Sequence, residues 1–441
     1  MLECIVTKFG GSSLANDEQF RKVRSILELE PTRRYLVPSA PGKRFREDDK
    51  VTDLLYECHA QASEGRSFEE TFAKIEERYL SIARGLGLKI HIEDDLEKVR
   101  QGIADGLSRD WCASRGEYLC GLLMADYLGW RFLDAADGVV FNGNRTLNDE
   151  KTEEKLSAAL ADGIPTVVPG FYGAMENGEV CTFSRGGSDI TGALVARAVQ
   201  ADVYENWTDV SGFLMADPRI VDNPAEISSI TYKELRELSH MGASVLHEDA
   251  MFPVHRAGIP TNIRNTNKPF HPGTIISKNA PHEVSVPTIT GIAGHKGYSV
   301  ISVEKNMMNS EVGFGRKVLQ VLEDAAVPFE HMPTGIDSLC VVVSSKALAP
   351  HRDEIIEKIE ELVEGSGSVS VNDEMSIIAT VGRGMVHNCG TAARLFGAMS
   401  RSGVNVRMID QGSSELSIIV GVDDQDLETT IRAIYNEFVH D

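Results

Sequence analysis

Positive charge is scarce in this chain. Lys and Arg number 44 against 66 Asp and Glu, a formal net charge of -22 over 441 residues. That balance argues against general nucleic-acid binding, which favours basic surfaces. A protein of this charge that handles anions must gather its cations locally, so single Lys and Arg residues in glycine turns become informative. Paired cysteine motifs are missing as well. The seven cysteines (Cys4, Cys58, Cys112, Cys120, Cys181, Cys340, Cys389) are scattered, with no Cys-x-x-Cys or Cys/His spacing. This argues against a zinc site or a disulfide framework at such a length, and no metal-ligating set is expected. No run reaches the ~18 apolar residues of a membrane helix. The N-terminus enters a strand-like run without a signal-peptide pattern. The expectation is a cytoplasmic protein with reduced thiols, no membrane partner and no nucleic-acid partner.

The length suits about two to four domains with a sizeable core. Short apolar runs alternate with amphipathic stretches through the first two-thirds. Strands are expected at Cys4–Lys8, Tyr35–Ser39, Arg131–Asp134, Thr166–Pro169, Val203–Trp207 and Thr261–Arg264. Helices are expected at Asp53–Ala62, Phe68–Ala83, Leu96–Leu107, Tyr118–Tyr127 and Glu153–Leu160. Such alternation favours an α/β fold, a mostly parallel sheet covered on both faces, with ligands at the carboxyl ends of the strands. The Pro-, His- and Gly-rich stretch Pro269–Pro287 reads as a boundary. Beyond it a β-α-β-β-α order occurs twice. The first copy has strands at Ser299–Glu304, Val327–Met332 and Leu339–Ser344 and helices at Gly313–Ala325 and Arg352–Val363. The second has strands at Met375–Thr380, Asn405–Ile409 and Leu416–Val420 and helices at Thr391–Ser400 and Leu427–Phe438. A repeat of about 60–75 residues points to paired α+β modules. They carry no catalytic cluster, so a regulatory role is expected; a dimerisation scaffold is the alternative.

The chemistry-bearing stretches centre on glycine. Cys4–Lys8 runs into Phe9-Gly10-Gly11-Ser12-Ser13, with a helix opening at Asp17. Strand, tight turn and helix together suit an anion site, since glycine admits close backbone approach and helix N-termini present unpaired N–H groups; a buried strand with an ordinary turn and Lys8 facing water is the alternative. The spacing is not that of a P-loop, since Lys8 precedes the glycines. Ser39-Ala40-Pro41-Gly42-Lys43 is a second small turn at a strand end. Ser114-Arg115-Gly116-Glu117 reads as the opening of a helix, where capping alone would explain the carboxylate. Ser184-Arg185-Gly186-Gly187-Ser188-Asp189 opens another helix between a cation and an anion. Arg185 can hold a carboxylate through two parallel hydrogen bonds and Asp189 can accept from an ammonium; an Arg–Asp pair bracing the turn is the alternative. Thr208 and Asp209, at the end of a further strand, suit a ribose or base edge, and Arg219 suits a phosphate; an Asx turn is the plainer reading.

Lys-Phe-Gly-Gly-Ser-Ser, Arg-Gly-Glu, Ser-Arg-Gly-Gly-Ser-Asp and Trp-Thr-Asp-Val-Ser-Gly occur in order between Lys8 and Gly212. On these motifs the sequence resembles the aspartokinases of the amino acid kinase family, which carry two C-terminal ACT domains. The resemblance implies an amino acid kinase-type sheet sandwiched by helices over 1–280, then ferredoxin-like ACT domains over 288–370 and 371–441, with interleaving in space. It implies phosphorylation of the β-carboxylate of L-aspartate by ATP with Mg2+. Lys8, Arg185 and Asp189 would be catalytic. Lys8, Gly10, Gly11, Ser12, Thr208, Asp209 and Arg219 would bind the nucleotide; Ser39, Thr52, Glu117, Arg185, Ser188 and Asp189 would bind aspartate. Met307, Ser310, Gly313, Phe314, Phe329, Glu330 and Asp337 would contact an effector, lysine and/or threonine. A homodimer or homotetramer through the ACT domains is implied, and the length fits a kinase without a fused dehydrogenase. Departures cluster on the nucleotide side. Ser244 stands where many relatives have lysine, Glu248-Asp249 follow His247 where many have proline, and Leu214 replaces an aromatic residue. Arg219, or a lysine of the charged loop Lys43–Lys50, would make up the missing charge. Two other readings stay open: a kinase of another amino acid, and an inactive amino-acid sensor.

Overall fold

The computed structural model describes residues 3–184, 186–242, 251–279, 287–363 and 365–439. Two compact units emerge. The first holds residues 1–213, 228–232 and 245–282; the second holds 214–227, 233–244 and 283–441.

The first unit is built on an eight-stranded sheet. Its order is Ser229–Thr231, Thr274–Ser277, Thr261–Asn265, Val203–Thr208, Ile5–Phe9, Arg33–Pro38, Thr166–Val167, Arg131–Phe132. Every neighbouring pair is parallel except Thr261–Asn265 with Thr274–Ser277. Central strands of such sheets are buried on both faces, and Ile5–Phe9 is buried at every position. One face carries the helices Asp17–Glu28, Val51–Ser63, Glu69–Leu86, Ile92–Ala104 and Arg109–Leu128, which share one apolar core with Phe9, Leu36, Val167 and Trp207. The helix Gly187–Ala198 adjoins Ile5–Phe9, Arg33–Pro38 and Val203–Thr208. The Asp17–Glu28 helix shows why such segments form. Asn16 accepts from the Gln19 amide as cap, Asp17 and Glu18 fill the first turn, and Phe20, Val23, Ile26 and Leu27 bury one face.

Three expectations change. The Arg-Gly-Glu helix does not begin at Ser114: it spans Arg109–Leu128, capped by Ser108 at the Trp111 amide, so Glu117 lies well inside it. Gly116 is glycine because a Cβ there would lie 2.9 Å from the Ala40 methyl, not because the helix starts nearby. A 3-10 turn, Gly11–Leu14, stands between the glycine pair and the Asp17 helix. A hairpin of Tyr172–Met175 and Val180–Thr182 was not anticipated, although Asn177-Gly178 is a turn signal and Gly178 has φ +84°.

The second unit holds a six-stranded antiparallel sheet, in the order Phe329–His331, Ser338–Ser344, Gly291–Lys305, Gly367–Val381, Ser417–Asp423, Met408–Asp410. The two central strands run 15 residues each, much longer than the runs expected at Ser299–Glu304 and Met375–Thr380. A register shift between His295 and Tyr298, beside Gly297 at φ +92°, joins the two halves of the first. Its earlier half pairs with Ile377–Val381 and its later half with both Ser338–Ser344 and Gly367–Asn372. Separate cores form over the two ends, one on Phe314, Val318, Ile355 and Ile359, the other on Leu395, Met399, Ile431 and Ile434.

In the first unit one buried carboxylate ties the sheet together. Glu205 accepts from Arg33 Nε at 2.8 Å and Nη2 at 3.0 Å, from Arg264 Nη1 at 3.1 Å and from Trp207 Nε1 at 2.9 Å. Both guanidiniums also lie over the Trp207 ring. Removing the carboxylate would strand the buried Arg33 and the half-buried Arg264, so Glu205→Ala should lower the unfolding free energy by about 3–5 kcal/mol. Trp111, Trp130 and Trp207 all belong to this unit, so tryptophan fluorescence during denaturation reads its loss. A change of about 1 kcal/mol or less, the scale of an exposed pair, would contradict the assignment.

Candidate functional site

Lys8 and Asn206 are register partners on adjacent parallel strands. Residues paired in this way face the same side of a sheet, and both reach one carboxylate. Lys8 Nζ lies 2.6 Å from Asp189 Oδ1, and Asn206 Nδ2 donates to the same oxygen at 2.7 Å. Asp189 sits in the first turn of the Gly187–Ala198 helix, where the helix dipole favours an anion. That helix starts on Gly186 at φ +57°, and a Cβ on Gly187 would lie 2.6 Å from the Phe171 ring. The double glycine is therefore required by a left-handed cap followed by a close packing contact. Lys8 and Asp189 are 9% and 17% exposed, so the pair is largely shielded from solvent.

The Gly10–Ser12 turn lies next to this pair. The Gly10 amide donates to the Trp207 carbonyl at 2.9 Å, and a Cβ on Gly10 would stand 3.7 Å from Lys8 Nζ. Gly11 and Ser12 open the 3-10 turn, so their N–H groups have no intrahelical acceptor. Ser13 is tied to Thr266 by a 2.7 Å hydroxyl contact. The Ser39 amide donates to the Phe9 carbonyl at 3.1 Å. Ser188 is buried against Gly170, where a Cβ would meet its side chain at 2.6 Å. Thr52 is half-buried in the first turn of the Val51–Ser63 helix. Thr208 closes its strand half-buried, with its hydroxyl 3.2 Å from exposed Asp209, and Asn265 Nδ2 holds the Asp209 carbonyl at 3.1 Å.

Glu117 is buried, and its Oε2 has no hydrogen-bond partner among the described residues. Burial pushes its carboxyl up to about 8, against the pull of a hydrogen bond from the Ala40 amide. An orphaned buried carboxyl oxygen, inside a helix and next to the Ser39–Gly42 turn, is suited to receive a donor from a ligand.

Not every residue singled out from the sequence joins this cluster. Arg185 lies outside the described residues, as do Ser244, His247, Glu248 and Asp249. Arg219 belongs to the second unit, 87% exposed, where its Nη2 pairs with Asp217 at 2.6 Å. Of the Lys43–Lys50 loop, Arg44 is committed to Asp48 through Nε at 2.8 Å. Asn206 was missed from sequence. Its signal was a polar pair, Glu205-Asn206, in the middle of an otherwise apolar central strand.

In the second unit, Met307 has φ +60° and is exposed, and its amide donates to Asp337 Oδ1 at 2.8 Å. Ser310 ends the 3-10 turn Met308–Ser310, and Gly313, at φ +84°, caps the Phe314–Asp324 helix. The Phe314 ring is buried beneath Lys305, whose ammonium lies 5.0 Å from its centre and 3.0 Å from Glu311. Asp337 also lines an open groove of about 620 Å³ with Lys305, Asn306 and Ser366. Phe329 and Glu330 lie on the edge strand, and Glu330 holds His240 Nε2 at 2.6 Å.

Comparison with known proteins agrees with this architecture. Residues 3–265 match the model of the amino acid kinase family, and 378–438 match an ACT domain. Aspartokinase 3 of Bacillus subtilis is 39% identical over 98% of both chains. The chloroplastic aspartokinase 2 of Arabidopsis thaliana is 29% identical over 99% of this chain and 84% of its own. The crystal structure of Clostridium acetobutylicum aspartate kinase superposes with a TM-score of 0.90 at 50% identity, covering 99% of this chain and 100% of that one. E. coli aspartokinase III, solved with aspartate and ADP, shares the fold at a TM-score of 0.72 and 24% identity, over 99% of this chain and 100% of that one. With its parallel kinase sheet, its Lys8–Asp189 centre and its C-terminal antiparallel sheet, this chain belongs to the amino acid kinase family, in the aspartokinase branch that carries ACT domains.

Proposed function

We propose that this protein transfers the γ-phosphoryl group of Mg-ATP to the β-carboxylate of L-aspartate, forming 4-phospho-L-aspartate and ADP. This is the first committed step toward lysine, threonine and methionine. The observation that carries the reading is the Lys8–Asp189 pair beside the Gly10–Ser12 turn, together with full-length similarity to B. subtilis aspartokinase 3.

The acceptor is already an anion, so no protein nucleophile and no general base is needed. A β-carboxylate oxygen forms a bond to the γ-phosphorus, the bond from phosphorus to the β,γ-bridging oxygen breaks, and ADP leaves with the electron pair. Catalysis then reduces to alignment and charge neutralisation. Lys8 lies along the transferring group, and the Gly10, Gly11 and Ser12 backbone cradles phosphate oxygens. Arg185 holds an aspartate carboxylate, Ser39, Thr52 and Ser188 complete the substrate pocket, and Thr208 and Asp209 face the nucleotide. Mg2+ enters as part of the substrate complex, held chiefly by phosphate oxygens and water. Asp189 pairs with Lys8 at 2.6 Å. The ammonium of aspartate competes for the same carboxylate, and with Glu117 it receives that ammonium, so substrate binding frees Lys8 for the phosphoryl group.

The same reading takes 1–280 as the catalytic domain and 288–370 and 371–441 as ACT domains. These assemble a homodimer or homotetramer in the cytoplasm and bind lysine and/or threonine as feedback inhibitor. E. coli aspartokinase III has been solved with lysine and aspartate. The contacts assigned here are Met307, Ser310, Gly313, Phe314, Phe329, Glu330 and Asp337.

Mg-ATP with hydroxylamine should yield hydroxamate from aspartate and none from glutamate. Hydroxamate from glutamate alone would favour another amino acid kinase, and none from either would favour a sensor. Lys8→Ala should lose about 10²–10³-fold in turnover with an unchanged circular dichroism spectrum; unfolding would instead make Lys8 a structural residue.

Glu117 adds a proton balance. Its carboxyl is raised from the ordinary 4.5 to about 8, so between those values the folded protein keeps a proton that the unfolded chain has lost. The stability tied to that proton is complete below pH 4.5 and lost as pH rises toward 8. An arriving ammonium favours the ionised form, so aspartate binding at pH 7 should release a proton. Titration calorimetry in buffers of different ionisation enthalpy should show this, and Glu117→Gln should abolish it. Buffer-independent heats with the unmutated protein would contradict the role of Glu117.

A further inference from the structure

The glycine turn at Lys8 does not stand alone: a second turn is pressed against it. The Gly42 amide donates to the Gly11 carbonyl at 2.8 Å. A Cβ on Gly42 would fall 2.6 Å from the Gly11 carbonyl carbon, and one on Gly11 would fall 2.8 Å from the Ala40 carbonyl oxygen. The two backbones are in contact with no room for a side chain, so the Gly11 and Ser12 amides keep their aim only while Gly42 stays in place.

What holds Gly42 is a guanidinium from a distant helix. Arg78, on the helix Glu69–Leu86, is 3% exposed. Its Nη1 donates to the Gly42 carbonyl at 2.7 Å, and its Nη2 donates to Asp48 Oδ2 at 2.6 Å. Asp48 also takes the Arg44 amide at 2.9 Å and the Arg44 side chain through Nε at 2.8 Å and Nη2 at 2.9 Å. The hydrogen bonds from Arg44 come first among the causes that hold the Asp48 carboxyl far below the usual range. The residues between Gly42 and Asp48 form an exposed tip, with Phe45 58% exposed. Arg78 therefore closes the base of a solvent-facing loop and grips its first and last residues at once. A fork with separate donors can do this; a single ammonium cannot span both acceptors.

We propose that Arg78 is a positioning residue of the phosphoryl-transfer site. It fixes Gly42, and through Gly42 the amides of the Gly10–Ser12 turn, without touching the reacting groups. Asp48 serves as its counter-charge. The proposal rests on the kinase reading of that turn, and it gives the buried Arg78 a task that stability alone would not require. Loss of alignment at such a remove can cost about 10²-fold in rate.

The test uses the full-length protein with Arg78→Ala and Arg78→Lys, the second retaining charge in case the first fails to fold. Hydrogen exchange read by mass spectrometry should quicken in peptides spanning residues 10–13 and 40–43 in both variants. In the hydroxamate assay kcat should fall about 10²-fold while the KM for aspartate stays near that of the unmutated protein. Millimolar guanidinium should restore part of the turnover of Arg78→Ala. Unchanged exchange at 10–13, or turnover lost only in proportion to unfolded protein, would overturn the proposal. If the unmutated protein forms no hydroxamate, the kinase reading fails, and the exchange measurement alone still decides whether Arg78 fixes the turn.

Discussion

The contact on which the site depends is the ion pair between Lys8 and Asp189, braced by Asn206. Its geometry follows from sheet register. Lys8 and Asn206 are partners on neighbouring parallel strands, so one face of the sheet delivers both to the start of the Gly187–Ala198 helix. The residues on either side of Asn206, Glu205 and Trp207, point the other way. There Phe9 stacks on Trp207 at 5.7 Å, and Glu205 anchors Arg33 and Arg264. One strand thus serves two purposes, holding a reactive pair on one side and a structural charge network on the other.

A chain of net charge -22 must resolve how to bind a polyanion. Its answer lies in placement. Lys8 is paired with Asp189, and in the proposed mechanism the substrate ammonium takes over that carboxylate and leaves the cation for the phosphoryl group. Arg33 and Arg78, both buried, and half-buried Arg264 are paired with carboxylates, and they organise backbone and sheet. Glu117 follows the opposite logic: burial raises its carboxyl, and in the proposed mechanism the arriving ammonium favours its charge. The C-terminal sheet follows another pattern: its two central strands continue past one another and gather a separate apolar core over each end.

Much of this was legible in the sequence, for identifiable reasons. The Lys8 strand, the helix after Gly186-Gly187 and the α-β order of the C-terminal third rest on local signals: apolar runs, glycine caps and helical periodicity. What was not legible depends on contacts distant in sequence. Glycine at 116 imitates a helix start, yet it exists to admit Ala40, and the true cap is Ser108. The Lys8–Asp189 pair joins residues far apart in the chain, and the sequence offered Arg185 as the nearer partner. Gly42 looked like an ordinary turn residue, and its contact with Gly11 emerges only when two strand ends are neighbours. The Gly291–Lys305 strand is longer than its sequence signal because Lys296-Gly297 interrupts the apolar alternation that a bulge carries through.

The central claim is that Asp189 exchanges Lys8 for the substrate ammonium. A crystal structure with aspartate and a non-hydrolysable Mg-ATP analogue bound together tests it most directly. The account predicts that the 2.6 Å Lys8–Asp189 contact is broken in that complex. Lys8 Nζ should then lie on the γ-phosphate and the aspartate ammonium on Asp189 and Glu117. An intact Lys8–Asp189 pair with both ligands seated would contradict it.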